Sequence, residues 1–511
     1  MFNLTNHQQH ALQTIADNQF VLLHGITGSG KTEVYIRAAQ KAIEEGKQVI
    51  ILVPEISLTP QTIERFSVYF KTAVIHSHLT KKQKGIEWQK ILNNEVEVVI
   101  GARSALFAPV KDLGLIILDE EHDSSFKQDV RPHYHARDIA CKRAELTGAK
   151  LIFGTATPSL ESYNLAKSDN RWQIVNMPER IDSKPLPEVE VVDMRSELQS
   201  GNRTVLSRAL RNKLKETLAN GRQAIIFQNR RGYSTFLLCR ECGTVVECPR
   251  CSVSMTYHKD SKTRCHYCGY EADVPPQCPK CQSKYFRYFG TGTQKVENEI
   301  NAMFPNARII RMDKDTTSGR GSHARLLSDF AKGEGDILLG TQMVSKGHDF
   351  PNVDLVGVIS ADTALNLPDF RAAERTFQLL TQVSGRAGRS AATTDSKVFI
   401  QTYNPDHYAI LAAAGHDYQS FYEQEIQFRN ELNYPPFSKM VMITVSSRNK
   451  KAASELMPGL IPSPIPKLRN EYRFQRLVKS DELPPEELDK LSNLDIPGIK
   501  VSIDVDPVNM M

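Results

Sequence analysis

Long apolar runs are missing from this chain. Its most hydrophobic stretches, such as Val49–Val53, fall far short of the ~20 residues that a membrane-spanning helix needs. The opening MFNLTNHQQHALQTI has none of the basic-then-apolar pattern of a secretory leader. A large excess of one charge is missing as well. The 64 Lys and Arg against 59 Asp and Glu leave +5, which is compatible with a nucleic-acid partner without requiring one. Disulfide-style cysteine usage is also absent. Eight of the nine cysteines sit in four C-x-x-C pairs between Cys239 and Cys281, and in a large chain with no leader pattern this reads as metal ligation. These absences exclude a membrane protein and a disulfide-stapled secreted domain, and predict a soluble, cytoplasmic protein. At 511 residues, 40% of them hydrophobic, the chain has material for several domains of ~150 residues each.

What is present begins with Val21–Thr32, VLLHGITGSGKT. A short buried strand leads into G-x-x-x-x-G-K-T, and Glu33–Ala42 then reads as a helix. That order is the context in which a phosphate loop works. Gly25, Thr27, Gly28, Ser29 and Gly30 form the loop, whose backbone N–H groups turn toward phosphate oxygens at a helix N-terminus. Lys31 reaches the β- and γ-phosphates, and the Thr32 hydroxyl holds Mg²⁺. Upstream, Gln8 carries an amide able to read the adenine edge of ATP.

Further strands end in polar motifs. Gln48–Pro54 runs into Pro54–Gln61. Val96–Ile100 ends in Gly101-Ala-Arg103-Ser104, Leu115–Leu118 in Asp119-Glu120-Glu121-His122, and Leu151–Phe153 in Gly154–Ser159. Alternating strands and helical stretches predict a parallel α/β sheet, with its ligands beyond the carboxyl ends of the strands. Asp119 is then a second Mg²⁺ ligand, and Glu120 orients and deprotonates the attacking water. His122–Arg137, HDSSFKQDVRPHYHAR, interleaves aromatic and basic side chains. Phe126, Arg131 and Tyr134 there, with Arg103, are the predicted DNA contacts.

Pro178–Pro187 reads as a linker. Ser207–Asn220 looks helical and Gln223–Phe227 is a strand. The α/β rhythm then stops for Cys239/Cys242, Cys248/Cys251, Cys265/Cys268 and Cys278/Cys281. Two C-x-x-C turns complete one tetrahedral Cys₄ site, so eight cysteines predict two Zn²⁺, structural because no open position is left. Spacing alone does not fix the pairing. The first two pairs are cramped for sharing one ion, which favours a nested arrangement of outer with outer and inner with inner. Cys141 is expected to be a small buried hydrophobe. The α/β pattern resumes with strands at Arg308–Met312, Asp336–Leu339 and Val353–Ile359. It then reaches QVSGRAGR, where Arg386 and Arg389 share a helix face and are the predicted arginine fingers. Phe421–Leu432 reads as a helix, Met440–Ser446 and Ile499–Val505 as strands, and Ile461–Pro466 as an extended proline-rich piece. Tyr472, Arg473 and Lys479 suit stacking and phosphate contact.

The ordered set GITGSGKT, LVPEISLTPQ, IGARSALFAP, DEEH, GTATPS, GTQMVSKGHDF and QVSGRAGR resembles the superfamily 2 helicases. With the eight-cysteine insert it is similar to the bacterial primosomal replication-restart helicases. The resemblance spans nearly the whole chain. It implies an α/β fold of two RecA-like parallel-sheet helicase lobes, at 1–180 and 181–414. A zinc-binding insert at 239–281 lies in the second lobe, and a small α+β C-terminal domain covers 415–511. It implies a 3′→5′ ATP-dependent DNA helicase that acts at stalled forks and on single-stranded DNA. The implied partners are single-strand-binding protein and other primosome proteins. It further implies nucleotide contacts from Gly347 and Asp349, and the nested zinc pairing: Cys239, Cys242, Cys278 and Cys281 on one ion, Cys248, Cys251, Cys265 and Cys268 on the other. The family's N-terminal DNA-binding region has no counterpart, and the C-terminal domain is short between Ala453 and Ile461. Two competing readings are a translocase that does not unwind and a zinc scaffold for primosome assembly. Lys31, Glu120 and Arg389 argue against a dead motor.

Overall fold

A computed structural model of the chain describes residues 3–55, 60–77, 79–181, 184–228, 236–251, 253–258, 262–284, 286–288, 293–313, 316–317, 322–341, 350–388, 396–479, 485–492, 494 and 496–508. It divides into two compact units between Leu186 and Pro187.

The first unit is built on seven strands: β1 (Phe20–Gly25), β2 (Gln48–Leu52), β3 (Thr72–Ile75), β4 (Val98–Gly101), β5 (Leu113–Asp119), β6 (Lys150–Thr155) and β7 (Trp172–Met177). They lie in the order β3-β4-β2-β5-β6-β1-β7, and every pairing is parallel. Parallel strands covered on both faces need apolar side chains on both, hence the unbroken runs VIIL and LIIL rather than alternation. Val49, Ile51, Ile117 and Ile152 are fully buried. The strand at each edge, β3 and β7, has no counterpart among the sequence expectations. The residues of β3 alternate between half-buried and buried, and β7 also exposes Gln173 and Asn176, so neither shows the apolar run of a central strand. Helix α1 (Asn6–Asp17) is started by a Thr5/Gln8 capping box. Helix α2 (Lys31–Glu44) follows the phosphate loop.

The second unit carries β8 (Glu188–Asp193) and β9 (Gln223–Phe227). The insert follows: β10 (Leu237–Cys239), β11 (Thr256–Tyr257), β12 (Lys262–Arg264), β13 (Glu271–Asp273) and β14 (Phe286–Tyr288). The parallel sheet then resumes with β15 (Ile309–Met312), β16 (Ile337–Gly340), β17 (Val353–Val358) and β18 (Lys397–Thr402). That sheet is ordered β15-β16-β9-β17-β18-β8. Antiparallel pairing of β10 with β14 closes the insert at its base. The helix read as Ser207–Asn220 runs Arg208–Ala219. Ser207 is its N-cap, accepting from the Leu210 N–H, and Asn220 is its C-cap.

The chain ends in an antiparallel sheet of β19 (Met440–Ser447), β20 (Ile461–Leu468), β21 (Glu471–Lys479) and β22 (Ile499–Val505), ordered β20-β21-β19-β22. β20 carries Pro462, Pro464 and Pro466 and lies at one edge, the place where a strand tolerates missing N–H donors.

Candidate functional site

The phosphate loop leaves the C-terminal end of β1 and turns into α2. Gly28 and Gly30 take left-handed φ of +89° and +83°. At Gly30 a Cβ would also collide with the Gln8 amide nitrogen and the Ile181 side chain. α2 has no side-chain cap on its first N–H groups, which leaves them for an anion. Lys31 Nζ donates to the Gly25 carbonyl at 2.6 Å, folded back over the position a phosphate would take. Ser29 Oγ is buried without a hydrogen-bond partner among the described residues, as a group awaiting a ligand would be. Thr27 and Thr32 are half-buried beside it.

Gln8, the expected adenine reader, is bonded to the helix cap and to the phosphate loop. Its carbonyl oxygen accepts from the Thr5 N–H at 2.9 Å, and its amide nitrogen donates to the Gly30 carbonyl at 3.4 Å. Both ends serve the cap and the loop, and each keeps one further bonding capacity, an N–H and a lone pair. The proline-rich stretch read as a linker also reaches the loop. Ile181 N–H donates to the Gly28 carbonyl at 3.1 Å.

Asp119, the last residue of β5, faces this loop through α2. The Tyr35 hydroxyl donates to its Oδ1 at 2.9 Å. Gly154 pairs with Asp119 across β6, and a Cβ there would strike the Tyr35 hydroxyl. Burial, and then the adjacent Glu120, push the Asp119 carboxyl up to about 6, opposed by Lys31 and the Tyr35 bond. Glu120 follows with φ +52°, a backbone region that costs a non-glycine residue of order 1 kcal/mol or more. Its Oε2 is buried with no hydrogen bond among the described residues and lies 3.7 Å from His122 Nδ1.

The next residue holds that conformation. Glu121, 1% exposed, accepts from the Ser159 N–H at 2.7 Å and from the Ser162 hydroxyl at 2.7 Å, with Arg137 at 3.6 Å. His122 Nδ1 lies 2.7 Å from the Thr155 hydroxyl. Tyr35, Glu121, Ser159 and Ser162 carry no assigned role in the sequence reading. The small polar residues at the end of β6 were the only trace of a lock between the two loops.

The aromatic loop corrects two of the expected DNA contacts. Phe126 is 1% exposed, a core residue that cannot offer its face to a base. Arg103 is a brace: its Nη1 donates to the Ser125 and Lys127 carbonyls at 2.7 and 2.8 Å, and its Nε to Gln128 at 3.2 Å. The brace and the Lys127–His135 bridge present Tyr134 edge-on to Phe107, centroids 5.2 Å apart. Phe107 is half-exposed, and Arg131 stands exposed at the loop's turn.

In the second unit the cysteines group as the outer four and the inner four, each set with all sulfurs within 4.8 Å of one another. Sγ–Sγ separations include 3.6 Å for Cys239–Cys281, 3.5 Å for Cys242–Cys278 and 3.7 Å for Cys248–Cys268. A tetrahedron of Zn–S bonds of about 2.3 Å has edges of roughly 3.8 Å, so both sets fit zinc. Gly243, Gly269 and Gln282, each just after the second cysteine of a pair, take φ of +76°, +73° and +60°. This turns their N–H groups back to the carbonyls of Cys239, Cys265 and Cys278. Cys141 stands apart, its thiol pushed up to about 12 by burial.

Arg386 lies in the turn after the helix Ala372–Ser384; Arg389, Gly347 and Asp349 lie outside the described residues. Tyr472, Arg473 and Lys479 fall on β21. The Lys467 ammonium sits 5.0 Å over the Tyr472 ring, and Lys479 donates to the Leu432 carbonyl at 2.6 Å. Among the described residues no helix is long and apolar enough to cross a membrane.

The chain matches four family descriptions. Residues 5–165 match the DEAD/DEAH box helicase and 285–391 the helicase conserved C-terminal domain. Residues 248–272 match the PriA DNA helicase Cys-rich region, and 430–508 the primosomal protein N C-terminal domain. It is 49% identical to the replication restart protein PriA of Bacillus subtilis over 93% of this chain and 62% of that one. It is 45% identical to that of Synechocystis over 99% of this chain and 65% of the relative. For Haemophilus influenzae the figures are 38%, 96% and 70%. The chain thus spans somewhat less than two thirds of the first two relatives.

Proposed function

The chain belongs to the PriA family of replication restart proteins, and on that premise we propose that it is an ATP-dependent 3′→5′ DNA helicase. It unwinds stalled or abandoned forks and helps to assemble the primosome on them. Its partners are forked and single-stranded DNA, single-strand-binding protein and other primosome proteins, and it works in the bacterial cytoplasm at the nucleoid. One observation carries this reading: the lysine-bearing end of α2 and the acidic end of β5 are joined by the Tyr35–Asp119 bond at one crest of the first sheet. They bring the parts of a nucleoside-triphosphate hydrolase together.

The residues take these roles. The N–H groups of Gly28–Lys31 and the Lys31 ammonium hold the phosphates, with Lys31 leaving the Gly25 carbonyl to do so. Thr32 and Asp119 would hold Mg²⁺, which would supply positive charge against the β- and γ-phosphates. Glu120, its carboxylate kept off other hydrogen bonds, takes the proton of the attacking water. Arg386 and Arg389 supply the positive charge that the transition state demands, and Gly347 and Asp349 complete the nucleotide contacts. Two Zn²⁺ hold the insert closed.

The test is ATP hydrolysis and unwinding on one forked substrate. Lys31→Ala is expected to lose both. Glu120→Gln is expected to keep ATP binding while kcat falls by about 10²–10⁴. DNA-stimulated hydrolysis without any unwinding by the intact chain would reduce the reading to a translocase.

A further inference from the structure

Phe370 sits where three parts of the second unit meet. It lies two residues before the helix Ala372–Ser384, which leads into the Arg386 turn. Its N–H donates to the Tyr267 hydroxyl at 3.1 Å, and Tyr267 lies between Cys265 and Cys268 of the inner cluster. The Phe370 ring stacks on Tyr434, with centroids 4.7 Å apart and planes within 5°. The Tyr434 hydroxyl donates to the carbonyl of Cys251, another cysteine of that cluster, at 3.4 Å. Two guanidinium groups lie against Phe370, Arg371 at 4.2 Å and Arg429 at 4.6 Å, and the Lys479 ammonium caps Tyr434 at 5.0 Å.

The column is anchored at depth. Arg429, 1% exposed, pairs with Glu374 of the helix at 2.9 Å and with Glu425 at 2.7 Å. Its Nη1 donates to the Pro435 carbonyl at 3.0 Å. The cysteines of the inner cluster, Tyr267, Phe370, Tyr434, Met440 and Met442 pack in one apolar cluster. The cysteine turns, the C-terminal sheet and the start of the helix that leads to the Arg386 turn therefore share one core.

The outer cluster reaches the same segment from its other end. Gly243, in the Cys239/Cys242 turn, packs so closely on Tyr403 and Asn404 that a Cβ would strike both. Asn404 in turn donates to buried Asp362 at 2.9 Å. Residues 362–370 are thus held between the two cysteine clusters.

We propose that Phe370 is a positioning residue through which the metal-closed inner cluster fixes the helix Ala372–Ser384, and with it Arg386. The four cysteines fix Tyr267 and Cys251. Those two groups fix the ring and backbone of Phe370, and Phe370 sets where the helix begins. Loss of the metal, or of the Tyr267 hydroxyl alone, loosens the arginine turn at a distance while leaving the phosphate loop untouched. This rests on the helicase reading only for its effect on hydrolysis. The mechanical link stands on the second unit alone.

The experiment uses the full chain as wild type, Tyr267→Phe and Phe370→Leu. The first removes one hydroxyl and the second removes the stack while keeping an apolar side chain. Both are expected to retain two zinc ions. Amide hydrogen exchange over 372–388 is expected to quicken about tenfold, the factor that a loss near 1.4 kcal/mol of local stability gives. Stripping zinc from the wild type with a chelator is expected to quicken the same peptides. DNA-stimulated kcat is expected to fall at least about fivefold in the variants with KM for ATP unchanged. Unchanged exchange over 372–388 in Tyr267→Phe and in the stripped wild type overturns the proposal, whether or not Phe370→Leu folds. Wild-type chain lacking any DNA-stimulated hydrolysis would sink the helicase reading instead, and the exchange result would still decide the link.

Discussion

Tyr35 and Asp119 meet hydroxyl to carboxylate at 2.9 Å, over a backbone that only the missing side chain of Gly154 keeps clear. One oxygen of Asp119 is thereby engaged in positioning, and the proposed Mg²⁺ contact falls to the other. Tyr35→Phe is expected to bind nucleotide normally without magnesium and to need about tenfold more Mg²⁺ for tight binding. That is the scale of a hydrogen bond to a charged group. A magnesium titration of a fluorescent ATP analogue reads it, and curves superposing on wild type would refute it.

The same carboxylate gives a pH signature in the nucleotide-free protein. Its folded value of about 6 lies above the ordinary value of about 3.9, so the folded state holds the proton more tightly. The resulting stability is fully present below about pH 4 and is lost as pH rises through 6. It amounts to on the order of 2–3 kcal/mol. Asp119→Asn removes this loss. Denaturation of wild type and variant should show the variant gaining on wild type between about pH 4 and pH 6 and holding a constant lead above. A constant difference across that range would be incompatible with the buried charge.

Phe126 and Tyr134 should part company on mutation. Phe126→Ala opens a cavity in the core and is expected to cost about 3–5 kcal/mol of stability. Tyr134→Ala leaves stability nearly intact and weakens single-stranded DNA binding by about 1–3 kcal/mol. Thermal unfolding and fluorescence anisotropy on the two variants separate the roles. A Phe126→Ala protein of full stability and reduced DNA affinity would reverse this assignment.

Zinc content should follow the grouping of the cysteines. Wild type is expected to hold two ions and Cys278→Ser one. The double variant Cys278→Ser/Cys281→Ser should also hold one, since both residues serve the same site. Cys265→Ser/Cys278→Ser should hold none. Elemental analysis distinguishes these outcomes, and one ion retained in the last variant would contradict the nested grouping.

Most central strands of the parallel sheets were legible because they carry apolar residues on both faces, but β18, central in the second sheet, and its edge neighbour β8 were not anticipated. Gln223–Phe227 and Ile499–Val505 fall at the expected residues, and the other expected strands within a few positions. The two edge strands of the first sheet were not legible: β3 alternates half-buried and buried and β7 mixes polar and apolar, so neither stands out from a loop. The phosphate loop, the acidic pair and the cysteine pairs were readable because their chemistry demands fixed spacing. Composition could not say which way a side chain points. Phe126 and Tyr134 look alike in HDSSFKQDVRPHYHAR, yet one is core and the other is presented by the Arg103 brace. Glu121 was invisible as a functional residue because its partners, Ser159 and Ser162, lie at the start of the helix Leu160–Ser168 after β6 and meet it only through the register of β5 and β6.

The prolines of β20 carry a consequence beyond the domain itself. An edge strand normally offers a ladder of N–H donors to any extended segment that drifts alongside. Here Pro462, Pro464 and Pro466 delete three of those donors, leaving β22 as the sheet's other edge. A sheet open on one side only can accept a single added strand but cannot propagate. Copies of the chain brought close together therefore cannot polymerise edge to edge through this domain.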